Sequence, residues 1–371
     1  AVAVFILSFW LRSAKGNSAV KIDIVGAILI GAGIVLLTLG VNNLNQWGLL
    51  QAGPNAPFDV LGLSPAPVLL VLGIIFAQLF FVWTRRRTRA GRVPLVSLSV
   101  FASSRERAAV YAMFIVVFME AGLNFAVPLY IQIVQGRTPF DTSLAMLPFN
   151  LTVFVTATLV VRFYGRFSPR TIGVFSFVLT TAALVWLSFV VTNNWETLPT
   201  ILGLFVFGVG QGALVTLVFN VLVTASPKDL AGDVGSVRGT TNNLASAVGT
   251  AVAGALLVGI LSTNIATTLV GNPDIPPSLS AQVSLDNTNF VSNERLRSVL
   301  SDTDATPAQV DAAVAINEEA RLRALRIGLL VLAGISAIAI VPANRLPNYR
   351  KGEIPESVAT GIENADELPE S

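Results

Sequence analysis

The stretch Met113–Gln132, MFIVVFMEAGLNFAVPLYIQ, is long and apolar enough to cross a bilayer, yet it carries Glu120 near its middle and Asn124 four residues later. The i, i+4 spacing puts both side chains on one face of a helix. A carboxylate at mid-bilayer costs roughly 2.5–3.5 kcal/mol on insertion scales unless it is protonated or paired, so such a residue marks an ion path or a ligand counter-charge. Two chemical roles fit: proton carrier, or counter-ion for a cationic substrate. A neutral glutamic acid hydrogen-bonded between helices is the bland third. Pro128, on the same face, removes one backbone donor and frees the Asn124 carbonyl, which predicts a kink.

The rest of the polar inventory is thin. The chain has 371 residues, no cysteine and no histidine, 12% charged and 53% hydrophobic residues, and a mean hydropathy of +0.70. Soluble domains carry about 25% charged residues. Disulfides, thiol nucleophiles, the usual zinc ligands and histidine triads are all excluded, so no metal, cofactor or catalytic residue is expected and the chain does not read as an enzyme. The net charge of +2 and basic residues confined to short loops argue for membrane topology and against nucleic acid. FGVGQG at 207–212 lacks both the preceding strand and the Lys-Ser/Thr of a phosphate loop. Gly208 and Gly212, and likewise Ala245, Gly249 and Ala253, read instead as close-packing faces between helices.

Apolar runs of spanning length recur near 22–42, 65–84, 108–133, 142–163, 171–192, 199–224, 235–262 and 326–342. Residues 1–11 read as the end of a further helix whose start is absent. Loops on one side of these runs hold 18 of the 24 Lys and Arg residues, in alternation along the chain. By the positive-inside rule that side is cytoplasmic, the C-terminal tail at 344–371 included. The basic linker at 85–107 contains Leu95, Leu98 and Phe101 at helical spacing, which predicts a short surface helix. Within the external loop and helical hairpin at 263–325, Thr306-Pro307 reads as an N-cap followed by proline at the first helical position. One helix is expected from about Pro307 to Val341, with 292–300 folding back on it as a hairpin.

Polar residues that face a bundle interior mark its wet side. They fall on four of the last six runs: Glu120, Asn124 and Gln132; Asn150 and Thr152; Gln211 and Asn220; Asn242 and Asn243. The runs at 171–192 and 326–342 offer only hydroxyls.

Three stretches carry a family resemblance: NFAVPLYIQIVQGRTPFDTSLAMLPFNL at 124–151, VRFYGRFSPR at 161–170, and GVGQGALVTLVFNVLVTASPKDLAGDVGSVRGTTNNLASAVGTAVAG at 208–254. In these the chain resembles the major facilitator superfamily, in its fourteen-helix drug:proton antiporter branch. The resemblance implies an all-α polytopic membrane protein. Residues 1–11 would be the end of helix six, 22–84 the two central extra helices, and 108–343 a six-helix C-terminal lobe built as an inverted three-plus-three repeat. It further implies a proton-coupled exporter of hydrophobic, often cationic, compounds in a bacterial inner membrane, completed by an N-terminal lobe that this sequence lacks. Glu120 would handle the proton or cation. Asn124, Asn150, Gln211, Asn220 and Asn242 would contact substrate, the last two of the set in chain order after Gln211 lying nearer the inner mouth. The 161–170 loop departs from the family's Gly-Arg-x-x-Asp-Arg-x-Gly: Val161, Gly165 and Ser168 replace Gly, Asp and Gly, while Arg162, Arg166 and Arg170 remain. An exporter of an endogenous metabolite or lipid on the same scaffold, and an assembly or sensor protein using the external hairpin, are the alternative readings.

Overall fold

The computed structural model of the protein describes residues 23–48, 51–53, 56–59, 61–96, 104–133, 135–193, 197–225, 231–271, 293–301 and 306–348. The predicted helix end at 1–11, most of the predicted linker helix and the tail beyond 348 lie outside these residues. Within them Leu95 lies in a bend, not a helix.

Two helices come first, α1 (Ile24–Asn42) and α2 (Pro65–Arg89). They pack along each other, with Gly33 and Gly73 at the crossing. Their basic end is tied by one buried carboxylate. Asp23 caps α1 by accepting from the Gly26 N–H (3.0 Å), and it also accepts from the Trp83 indole N–H of α2 (3.0 Å) and lies 3.5 Å from the Arg87 guanidinium. Burial alone would raise this carboxyl's pKa; the Gly26, Trp83 and Arg87 contacts together hold it below the usual carboxylate value. A depressed folded-state pKa contributes stability that is present above the unfolded value of about 3.9 and is lost as pH falls through the folded one. Asp23→Asn is therefore expected to cost about 1–2 kcal/mol at neutral pH and to flatten the acid limb of a melting-temperature profile. A variant that keeps the wild-type acid limb refutes the assignment.

The remaining helices are α3 (Ser104–Ile133), α4 (Pro139–Ala145), α5 (Leu147–Leu159) with a 3-10 extension (Val160–Gly165), α6 (Pro169–Val190), α7 (Leu198–Ala225), α8 (Ala231–Gly271), α9 (Asn293–Ser301) and α10 (Pro307–Ala343). Among the described residues, seven helices are long and apolar enough to cross a membrane. The run expected as one span at 142–163 is broken at Met146, because Pro148 has no N–H to continue the ladder and restarts a helix at its first turn instead. By contrast α3 continues through Pro128 to Ile133. Thr306 caps α10 with Pro307 at the first turn, as the sequence predicts, and the structure adds a reciprocal box with Gln309.

The six-helix lobe packs in pairs. α3 lies on α8 and α10; α7 lies on α5 and α6; α3 meets α7, and α6 meets α10. Exchanging α3 with α7, α5 with α8 and α6 with α10 maps these contacts onto each other, the pattern of a three-plus-three repeat. Glycines permit close backbone approach in both repeat-related pairs, one on the second helix of its pair (α8 against α3) and the other on the first (α7 against α5). A Cβ on Gly249 of α8 would sit 2.4 Å from the Phe118 carbonyl oxygen of α3, and one on Gly212 of α7 would sit 2.5 Å from the Val153 oxygen of α5. In a bilayer, where helix and lipid are equally apolar, such backbone approach is what gains contact energy.

Candidate functional site

Glu120 and Asn124 share a stripe of α3 with Val117, Ala121 and Phe125, at i, i+3, i+4, i+7 and i+8. Facing it on α8, Asn242, Ser246 and Thr250 recur every four residues, and Val215 of α7 closes one side. Together these nine residues line a cavity of about 540 Å³. That is within the usual range for a small-molecule site, and the mix of apolar walls with a few converging polar groups is equally typical. The lining offers one carboxyl, two carboxamides and two hydroxyls.

Gln211 stands behind this cavity, not in it. It is fully buried on α7, where its Nε2 donates to the Val116 carbonyl oxygen of α3 (2.8 Å). Val116 is one turn before Glu120, and the Gln211 side chain lies beside the Glu120 carboxyl. Gln211 thus clamps the α3–α7 crossing and holds the segment that carries the acid. Asn150 is exposed on α5 and Asn220 is half-buried on α7; neither lines the cavity. Of the four helices expected to be wet, α3 and α8 supply the polar lining, α7 one valine and α5 nothing. Ser246 and Thr250 were legible in principle as the continuation of Asn242 at four-residue spacing.

Hydroxyls of α6 are spent on its own backbone or on the neighbouring α10. Thr180 donates to the Ser176 carbonyl (2.7 Å), and Thr181 bridges to Ser336 of α10 (2.9 Å). In the 161–170 loop Arg162, Arg166 and Arg170 are all exposed, and Arg170 donates to Asn344 (3.2 Å).

A second polar cluster sits at the opposite end of the lobe from that loop. Arg321 of α10 is fully buried and donates to Asn293 of α9 (3.0 Å), whose Nδ2 donates to Glu318. The Tyr130 hydroxyl of α3 donates to Asn193, and Arg326 grips the Val191 carbonyl (2.8 Å). Sequence reasoning places no arginine deep in the fold, because charged residues in a hairpin are ordinarily solvated. α9 packs against the start of α10, and the buried Arg321 joins the two.

The family model of the Major Facilitator Superfamily matches residues 22–250, well over half of the chain. The chain belongs to the Major Facilitator Superfamily. Among curated relatives it is similar to the probable actinorhodin transporter of Streptomyces coelicolor, 28% identical over 257 residues, covering 68% of this chain and 42% of the relative. It is similar also to the tetracenomycin C resistance and export protein of Streptomyces glaucescens, 27% identical over 67% of this chain and 43% of the relative. A third is the multidrug resistance protein Stp of Mycobacterium tuberculosis, 26% identical over 70% and 47%. The chain spans rather less than half the length of these relatives. As a superfamily member it is an all-α polytopic membrane protein.

Proposed function

We propose that this chain is the C-terminal, cavity-forming part of a proton-coupled antiporter that exports hydrophobic, often cationic, compounds by alternating access. The observation that carries the reading is the cavity itself, with Glu120 set among Asn124, Asn242, Ser246 and Thr250 at the centre of the lobe. In its deprotonated form Glu120 offers a cation the one formal negative charge in that lining; in its protonated form it neither attracts nor repels one. Proton and substrate then compete for one group, which is the elementary requirement for exchange. Asn124 and Asn242 supply adaptable donors and acceptors on opposite walls, and Phe125, Val117 and Val215 supply area for an apolar body.

A second lobe would close the cavity from its open side, and rocking of the two lobes would alternate its access. Resistance and export are named for the similar relatives, which supports this substrate class. The basic linker and loops support a cytoplasmic C-terminus in a bacterial inner membrane. The test is transport by the full-length protein in everted vesicles. A fluorescent lipophilic cation is expected to be taken up on energisation and released when an uncoupler collapses the proton gradient. Uptake that persists in the uncoupler but needs ATP would overturn the mechanism.

A further inference from the structure

The three-plus-three repeat pairs α8–α10 with α5–α6, and these mates differ. Between α8, α10 and α3 the gap is nearly closed, about 20 Å³ lined by Ala126, Leu257 and Leu329 among others. The equivalent space between α5, α6 and α7 is a groove of about 570 Å³. Its walls are Leu159 and Val160 of α5, Ile172, Phe175 and Leu179 of α6, and Val209 and Ala213 of α7, with Phe163 and Phe167 at one end. No charged side chain lines it, and its hydroxyls are few: Thr156, Thr171 and Ser176. It therefore lacks what the Glu120 cavity has. Its rim faces outward from the lobe, with Leu159, Phe163 and Phe175 exposed.

The end of the groove has the opposite character. Phe163 and Phe167 pack ring to ring at 6.5 Å, and each directly follows an arginine, Arg162 and Arg166. Both arginines are exposed, and neither has an ion-pair partner among the described residues. An apolar slot whose end residues Phe163 and Phe167 each neighbour an exposed arginine in sequence, at the membrane end of two spanning helices, matches one kind of molecule. Guanidinium forks favour phosphate oxygens, and basic pockets between helices at the membrane surface favour anionic headgroups.

We propose that the groove between α5, α6 and α7 binds one anionic phospholipid, an acyl chain lying against Phe175 and Leu179 and its phosphate held by Arg162 and Arg166. The loop that departs from the family's usual pattern at Val161, Gly165 and Ser168 is then a lipid-holding element.

Native mass spectrometry of the full-length protein in a mild detergent, titrated with phosphatidylglycerol and phosphatidylcholine of matched chains, tests this. At roughly fivefold per arginine, one phosphatidylglycerol is expected to bind about 30-fold tighter than phosphatidylcholine. The double variant Arg162→Gln/Arg166→Gln is expected to bring the two lipids to near parity. Leu179→Trp, which fills the groove, is expected to release both; Phe175→Glu at the exposed rim serves the same end should the first fail to fold. Equal retention of both lipids by the unaltered protein overturns the proposal. So does a phosphatidylglycerol preference that survives the groove variants, which would assign binding to the loop alone. A folded protein that holds neither lipid overturns it as well, since another protein segment would then cover the groove.

Discussion

Replacing Glu120 by Gln in the full-length protein is expected to abolish proton-driven efflux while leaving expression and melting temperature close to those of the unaltered protein. The substitution keeps the volume and the hydrogen-bonding reach of the side chain, so Gln211 and the α3–α7 crossing it clamps are undisturbed. What disappears is the one titratable group among the described residues of the cavity lining. Under the proposed mechanism no proton would then be exchanged for substrate, and the driving force would have nothing to act on. Everted-vesicle uptake on a proton gradient measures this, with substrate binding followed separately by fluorescence polarisation. Unchanged uptake removes Glu120 from coupling. Loss confined to cationic substrates, with neutral ones still pumped, makes the residue a counter-ion only. Glu120→Asp, which retains the charge one methylene back, is expected to keep part of the activity.

The second large effect concerns stability at the far end. Arg321→Met is expected to cost about 1.5–3 kcal/mol, because the half-buried Asn293 and Glu318 lose the buried guanidinium that links them. Arg321 is fully buried, and it reaches Asn293, which in turn reaches Glu318. The side chain thereby fastens α9 to α10, while the neighbouring Tyr130–Asn193 and Arg326–Val191 bonds tie α3 and the α6–α7 loop into the same end. Thermal unfolding in detergent measures the loss. Limited proteolysis is expected to show new cleavage within α9 before the lobe melts. Asn293→Ala, which removes a neutral link, is expected to cost only about 1 kcal/mol. Equal melting temperatures for Arg321→Met and the unaltered protein would make the cluster an incidental surface feature.

The helices themselves are legible one at a time. A backbone in hydrocarbon has no water to bond, so apolar runs of spanning length must be helical, and their existence follows from composition alone. Caps are local too: Thr306 with Gln309, and Ser168 before Pro169, are readable because the residues that satisfy a helix start lie within four positions of it. The break at Met146 was equally local in origin, but its signal, Pro148, competes with an unbroken apolar pattern on either side.

Rotation about each helix axis is different. In water an apolar stripe shows which face turns inward, whereas in lipid both faces are apolar and the periodicity carries little of that information. Glu120 and Asn124 declared their face by their cost in hydrocarbon, and Asn242 did the same on α8. Asn150, Gln211 and Asn220 carry the same kind of polarity and yet lie outside the lining, one exposed, one spent on a backbone carbonyl of α3, one half-buried. Ser246 and Thr250, individually bland, complete the cavity because α8 turns that stripe toward α3. The burial of Arg321 depends on a residue 28 positions away, and the open groove beside α5 depends on a gap that its repeat mate closes. Spans, caps and charge alternation are set by neighbours in the chain and by the solvent the chain must enter; which polar groups meet is set by how helices, alike in their outward chemistry, rotate to bring backbone against glycine.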